Sequence, residues 1–147
     1  MLMEPFTKPK IRHTITVAAI PENLEQINAF IEGKLEEVQC MIKTQMQIIV
    51  AVEEIFVNIA HYAYENKTGD AHISMWLEED PKTVAIEFRD NGVFFDPLAK
   101  SDPDVTLSAS ERQIGGLGIY MVKKSMDDVQ YRRENGQNIL TIRKKLE

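Results

Sequence analysis

Between residues 44 and 65 the side chains Ile48, Val52, Ile55, Phe56, Ile59 and Ala63 recur at steps of mostly three or four residues, and nothing in the stretch breaks a helix. That spacing winds them onto one wide face, so the segment reads as the best-buried helix of the chain. A face of this breadth must be covered by a second apolar layer. An earlier stripe, Leu24, Ile27, Ile31, Leu35 and Val38, marks another amphipathic helix, opened by Pro21 and ending near Cys40.

The layer beneath them is written in period two. In residues 11–18, Ile11, His13, Ile15 and Val17 alternate with Arg12, Thr14 and Thr16. Residues 71–78 place Ala71, Ile73, Met75 and Leu77 on one face, and residues 83–90 do the same with Val84, Ile86 and Phe88. A turn at Asp80-Pro81-Lys82 makes these two an antiparallel hairpin. Residues 128–133 and 138–144 form another, joined by Glu134-Asn135-Gly136-Gln137, where Asn-Gly is a strong two-residue hairpin signal. Between them, residues 91–113 show no periodicity, and the glycines at 115, 116 and 118 lead into a short helix through Met126. A loop of that length in a compact domain is usually functional.

The order strand, helix, helix, strand, strand, loop, helix, strand, strand predicts an α+β fold. It is expected to be a two-layer α/β sandwich with helices on one face of a mostly antiparallel sheet. A chain of 147 residues suits one domain, expected over 11–147 after a tail at 1–10. The balance of 44% apolar and 27% charged residues is that of a soluble globular protein. A net charge of −6 argues against direct nucleic-acid binding. The single Cys40 excludes an internal disulfide, and His13, His61 and His72 lack ligand spacing. With no signal-peptide core and no apolar run of membrane length, the expected location is the cytoplasm, away from membranes.

Three places can carry chemistry. Glu54, Asn58, His61 and Glu65 follow one another at steps of four, three and four, on a stripe expected opposite the apolar face. Such a stripe can be plain solvated surface. Glu54 and Asn58 also suit a metal-phosphate site, because an amide oxygen is a hard ligand for Mg2+ and a carboxylate can take a proton from a hydroxyl. His61, between Ala60 and Tyr62, is expected to pack rather than to catalyse. Asp90 shares the strand parity of Val84, Ile86 and Phe88, so its carboxylate points toward the apolar face. Either Asp90-Asn91-Gly92 is a turn that ends the strand first, or the carboxylate is a fixed acceptor for a ligand N–H such as the adenine amine. Gly115, Gly116 and Gly118 precede a helix, where free backbone N–H groups attract phosphate, although such a junction can need glycine for purely structural reasons.

Glu54-Ile55-Phe56-Val57-Asn58, then Asp90-Asn91-Gly92, then Gly115-Gly116-Leu117-Gly118 resemble, in order, the motifs of the GHKL ATPase superfamily with its Bergerat fold. Within it the chain looks most like the anti-sigma-factor serine kinases of the RsbW and SpoIIAB type. The stretches Glu53–Tyr64, Phe95-Asp96-Pro97 and Gly115–Val129 carry that likeness. The resemblance implies ATP and Mg2+ as cofactors, with Asn58 on the metal and Glu54 as general base. It implies Asp90 on the adenine amine, Gly92 giving the ring room, and Gly115, Gly116 and Gly118 closing over the phosphates. It further implies a serine/threonine protein kinase and anti-sigma factor of a partner-switching module. Its substrate would be a STAS-domain anti-anti-sigma protein, its second partner a sigma factor, and its assembly a homodimer. The alternative is a nucleotide-gated regulator-binding protein that transfers no phosphate. Arg112 is a candidate for the terminal phosphate by position alone. One departure stands out: the second glycine expected after Gly92 is replaced by Phe94, which either fills space beside the adenine or stiffens the hinge of the loop.

Overall fold

A computed structural model describes residues 11–65, 67–99 and 116–146. The expected tail at 1–10 and most of the expected loop lie outside the described residues. Five strands, β1 (His13–Ala18), β2 (Asp70–Glu78), β3 (Thr83–Asp90), β4 (Asp128–Glu134) and β5 (Gln137–Lys145), form one sheet in the order β1-β2-β3-β5-β4. Every neighbouring pair is antiparallel. Helices α1 (Leu24–Glu37), α2 (Ile42–Tyr62) and α3 (Gly116–Ser125) supply the second layer. The α+β sandwich read from the sequence is therefore the fold.

The register fixes what faces the helices. Ile15, Ile73, Phe88, Leu140 and Tyr131 form one cross-strand row, and His13, Met75, Ile86, Ile142 and Val129 form the next. Onto these rows α1 packs Ile27, Ile31 and Leu35, α2 packs Ile48, Val52, Ile55 and Phe56, and α3 adds Val122, with Met126 just past its end. Each fully buried side chain of this size contributes roughly 1.5–3 kcal/mol of transfer free energy. On the same face, at the end of the sheet, a third row runs Val17, Ala71, Asp90, Asn138 and Arg133. It begins apolar and ends polar.

Element ends differ from the periodicity by a few residues, for local reasons. Pro21–Asn23 is a 3-10 turn, and α1 begins only at Leu24. It stops at Glu37 rather than Cys40, because Gln39 takes a left-handed φ of 56° and the Cys40 N–H bonds back to the Leu35 carbonyl. Helix α2 starts at Ile42 and ends at Tyr62, which leaves Glu65, at φ 54°, outside the helix expected to contain it. The Asn135-Gly136 hairpin is as expected, with φ of 53° and 76° at its two central residues, the signature of a type I′ turn.

Candidate functional site

The polar end of the third row is a closed network. Asp90 is only 3% exposed, so strand parity does carry its carboxylate inward. Its Oδ1 accepts from the Gly92 N–H at 2.8 Å and from Asn138 Nδ2 at 3.0 Å. Asn138 donates also to the Val93 carbonyl at 2.8 Å, and its Oδ1 accepts from the Tyr131 hydroxyl at 2.6 Å and from Arg133 Nη1 at 3.1 Å. Arg133 Nη1 reaches the Gly92 carbonyl as well, at 2.9 Å. Burial raises the Tyr131 hydroxyl above its ordinary pKa, keeping it a donor. The turn at Asp90-Asn91-Gly92 forms, but it does not end the strand first as one reading expected: β3 runs through Asp90 and buries its carboxylate.

The segment after β3 is held down from the other side by α2. The Val93 N–H bonds to the Ala63 carbonyl at 2.8 Å, and the Asn91 N–H to the Tyr64 hydroxyl at 2.8 Å. A Cβ at Gly92 would run into the Ala63 backbone carbonyl. Glycine at 92 is required by that approach of two backbones, a tertiary contact invisible in the sequence. Phe94, the departure noted above, is 66% exposed and meets Tyr131 edge-on at 6.1 Å between centroids. It lies beside the cavity wall and not in it. Phe95 takes the inner position and stacks on Tyr62 at 6.0 Å.

Asp90 and Asn138 open onto a cavity of about 40 Å³. Its walls include Ile55, Ile59, Phe88, Phe95 and Leu140, and Asn58 enters it from α2. That volume suits water rather than a drug-sized ligand, so a larger guest requires the walls to move apart. One helical turn toward the start of α2, about 5.4 Å along the axis, Glu54 lines a second and wider groove. This groove, about 610 Å³, runs between α2 and α3 and is lined by Met46, Val50, Gly118 and Met121. A Cβ at Gly118 would collide with the Glu54 carboxyl group. Burial raises the pKa of Glu54 above its ordinary value, which brings it nearer to a working base at neutral pH.

The stripe of four residues is therefore divided, not uniform and not opposite the core. Glu54 and Asn58 are half-buried and face α3 and the cavity, whereas His61 and Glu65 are exposed. His61 packs against Tyr62, as expected of a non-catalytic residue. Gly116 begins α3, Gly118 touches Glu54, and Gly115 and Arg112 lie outside the described residues. Sequence reasoning missed Asn138, Tyr131, Arg133 and the inner position of Phe95. Asn138 carried a signal, since it shares parity with Leu140 and Ile142 in its strand just as Asp90 does with Phe88.

The donor set bears on Mg2+. Among the described residues no group of three or more His, Cys, Asp or Glu gathers to hold an ion. What remains is Asn58, whose amide has no hydrogen-bond partner among the described residues and points into the cavity. That fits Mg2+ as it usually occurs with nucleotides, held by few protein ligands together with phosphate oxygens and water.

Comparison with known proteins bears on family and fold. The model of the histidine kinase-like ATPase domain matches residues 17–144. The serine-protein kinase RsbW of Bacillus cereus strain AH187 is 32% identical over 95 residues, covering 62% of this chain and 58% of that protein. The chain thus spans somewhat over half the length of the RsbW proteins it matches. The serine/threonine-protein kinase BtrW of Bordetella bronchiseptica is 26% identical over 100 residues, covering 68% of this chain and 70% of that one. A crystal structure of the RsbU and RsbW domains of a Mycobacterium tuberculosis protein superposes with a TM-score of 0.66 over 94% of this chain and 33% of that chain, at 16% identity, a likeness of fold.

Proposed function

The chain belongs to the histidine kinase-like ATPase domain family, and on that premise we propose that it is an ATP-dependent serine/threonine protein kinase. In this reading it is one ATPase domain over 11–147. It is also an anti-sigma factor in a partner-switching module, and its substrate is a STAS-domain anti-anti-sigma protein. The observation that carries the proposal is the placement of Glu54 and Asn58. A single helix sets a carboxylate of raised pKa in an open groove and, one turn on, an amide in the cavity that ends on Asp90. The serine kinase names of RsbW and BtrW, relatives at 32% and 26% identity, support the same activity.

Each residue has a task in this reading. Asp90 accepts the N–H of the adenine amine, while Ile55, Ile59, Phe95 and Leu140 give the base a dry apolar slot. Asn58 would hold Mg2+ through its amide oxygen, and the ion would neutralise charge on the phosphates. Glu54 takes the proton of the incoming serine or threonine hydroxyl as that oxygen bonds to the γ-phosphorus and the bond to the β-phosphate oxygen breaks, leaving ADP. Its site in an open groove lets a partner protein reach it. Gly115, Gly116 and Gly118 act at the phosphates, with Gly118 also seating Glu54. The partners are a sigma factor and the STAS protein, the assembly is a homodimer, and the work is done in the cytoplasm. No helix among the described residues is long and apolar enough to cross a membrane.

The test is incubation with labelled ATP, Mg2+ and a STAS protein encoded beside this one, followed by mapping of the modified residue. Transfer to one serine or threonine is expected from the wild type, and none from Glu54→Ala despite retained ADP binding. Nucleotide binding without transfer by the wild type would leave a nucleotide-gated regulator-binding protein instead.

A further inference from the structure

Asn138 is 6% exposed and its amide is fully committed. A side-chain amide has two N–H donors and one oxygen with two lone pairs. Here the donors go to Asp90 Oδ1 at 3.0 Å and the Val93 carbonyl at 2.8 Å. The oxygen receives the Tyr131 hydroxyl at 2.6 Å, Arg133 Nη1 at 3.1 Å and, more distantly, the Phe95 N–H at 3.4 Å. This pattern fixes the orientation of the amide. Turned over, it would set its NH2 against a guanidinium and a backbone N–H, and its oxygen against a carboxylate and a carbonyl.

Two consequences follow for the cavity that Asp90 and Asn138 both line. Asn138 has no donor left for a guest. Among the described residues the hydrogen bonds of Asp90 both fall on Oδ1, from Asn138 and the Gly92 N–H, so that oxygen is held and Oδ2 is the acceptor left to the cavity. Among the described residues the cavity wall at this point is an acceptor with no matching donor beside it.

We propose that Asn138 is a positioning residue which, braced by Tyr131 and Arg133, dedicates Oδ2 of Asp90 to an exocyclic N–H. By that means the cavity selects a purine with an amine at its six position over one with hydrogen or a carbonyl there. The proposal rests on the reading of Asp90 as the base-recognising carboxylate. A six-carbonyl purine would bring acceptor against acceptor, and a purine with hydrogen there would leave a buried carboxylate oxygen unpaired. Without Asn138 the carboxylate loses one of its two tethers, and the Arg133 guanidinium is released to compete for it.

The measurement is calorimetric affinity for three Mg-diphosphates: ADP, purine riboside diphosphate, which lacks the amine, and inosine diphosphate. Wild type is expected to prefer ADP over each of the others by roughly tenfold or more. In Asn138→Ala the ratio of ADP to purine riboside diphosphate should collapse toward one, chiefly through weaker ADP binding. Asn138→Thr, which returns one donor, should restore part of the ratio. Tyr131→Phe removes only the hydroxyl that braces the amide, so it keeps the test available if Asn138→Ala fails to fold; it should lower the ratio less. A wild type that does not distinguish ADP from purine riboside diphosphate overturns the reading of Asp90 and the proposal with it. A discriminating wild type whose variants lose affinity for all three nucleotides in parallel, at constant ratio, overturns the role of Asn138 alone.

Discussion

The carboxyl group of Glu54 occupies the space against Gly118 that any side chain at 118 would enter. Two sites that the sequence separates by more than sixty residues are thus in direct contact, α2 supplying the acid and α3 the hollow that receives it. Gly118→Ala should therefore act on Glu54. The colliding atoms are the far end of a flexible side chain, so the helix can stay and the carboxylate must swing away. Melting temperature is expected near wild type, while transfer to a protein hydroxyl falls by about 10²-fold, the scale of a misplaced general base. A large loss of stability with normal transfer in the surviving fold would refute this placement.

Burial lifts the pKa of Glu54 above its ordinary 4.5, and the sign of the consequence is definite. A carboxyl group with a raised folded-state pKa binds its proton more tightly folded than unfolded. Its penalty is absent below the unfolded value, and stability is lost as pH rises through the folded one. Glu54→Gln carries no such charge. Its melting temperature should match that of wild type near pH 4, rise above it as the pH passes through the folded pKa, and stay a constant interval above it at higher pH. Transfer by wild type should climb over the same window as the base loses its proton. Parallel melting curves across the whole range would show that the carboxylate is not desolvated.

Much of this was legible beforehand because strand parity and helical periodicity are local. Asp90 was placed inside by its phase with Phe88, and Asn138 could have been placed by its phase with Leu140. What periodicity cannot say is what lies over a given face. Glu54 and Asn58 have the spacing of a solvated stripe, and only the docking of α3 and of the segment after β3 covers them. Gly92 is the same case: the resemblance gives it to the adenine ring, whereas the neighbour that forbids a side chain there is the Ala63 carbonyl, brought in from the end of α2.

If Asn58 holds Mg2+ beside the phosphates, metal and nucleotide should stabilise the fold together. Mg-ADP at a hundred times its dissociation constant stabilises a single-site protein by about 2.7 kcal/mol. Wild type should therefore melt several degrees higher with Mg-ADP than with ADP and a chelator. Asn58→Ala should lose most of that difference while its ligand-free melting temperature changes little, because the amide has no hydrogen-bond partner among the described residues to lose. A full Mg-dependent shift in the variant would take Asn58 off the metal.

Gly92→Ala poses the opposite case to Gly118→Ala, because the obstacle is main chain. The new methyl meets the carbonyl, carbonyl carbon and Cβ of Ala63, none of which can rotate away. Relief requires the segment after β3 to lift from α2, which breaks the bond from the Val93 N–H to the Ala63 carbonyl and pulls the Gly92 N–H off Asp90 Oδ1. The cost should be about 1–3 kcal/mol, in the range of other overpacked positions, read as a lowered urea midpoint at unchanged slope. Because Asp90 loses a tether in the same movement, the ADP affinity of the folded variant should drop as well. Joint loss separates this site from Gly118, where stability and transfer come apart, since a glycine facing a side-chain tip tunes chemistry and one facing a backbone supports the fold that holds it.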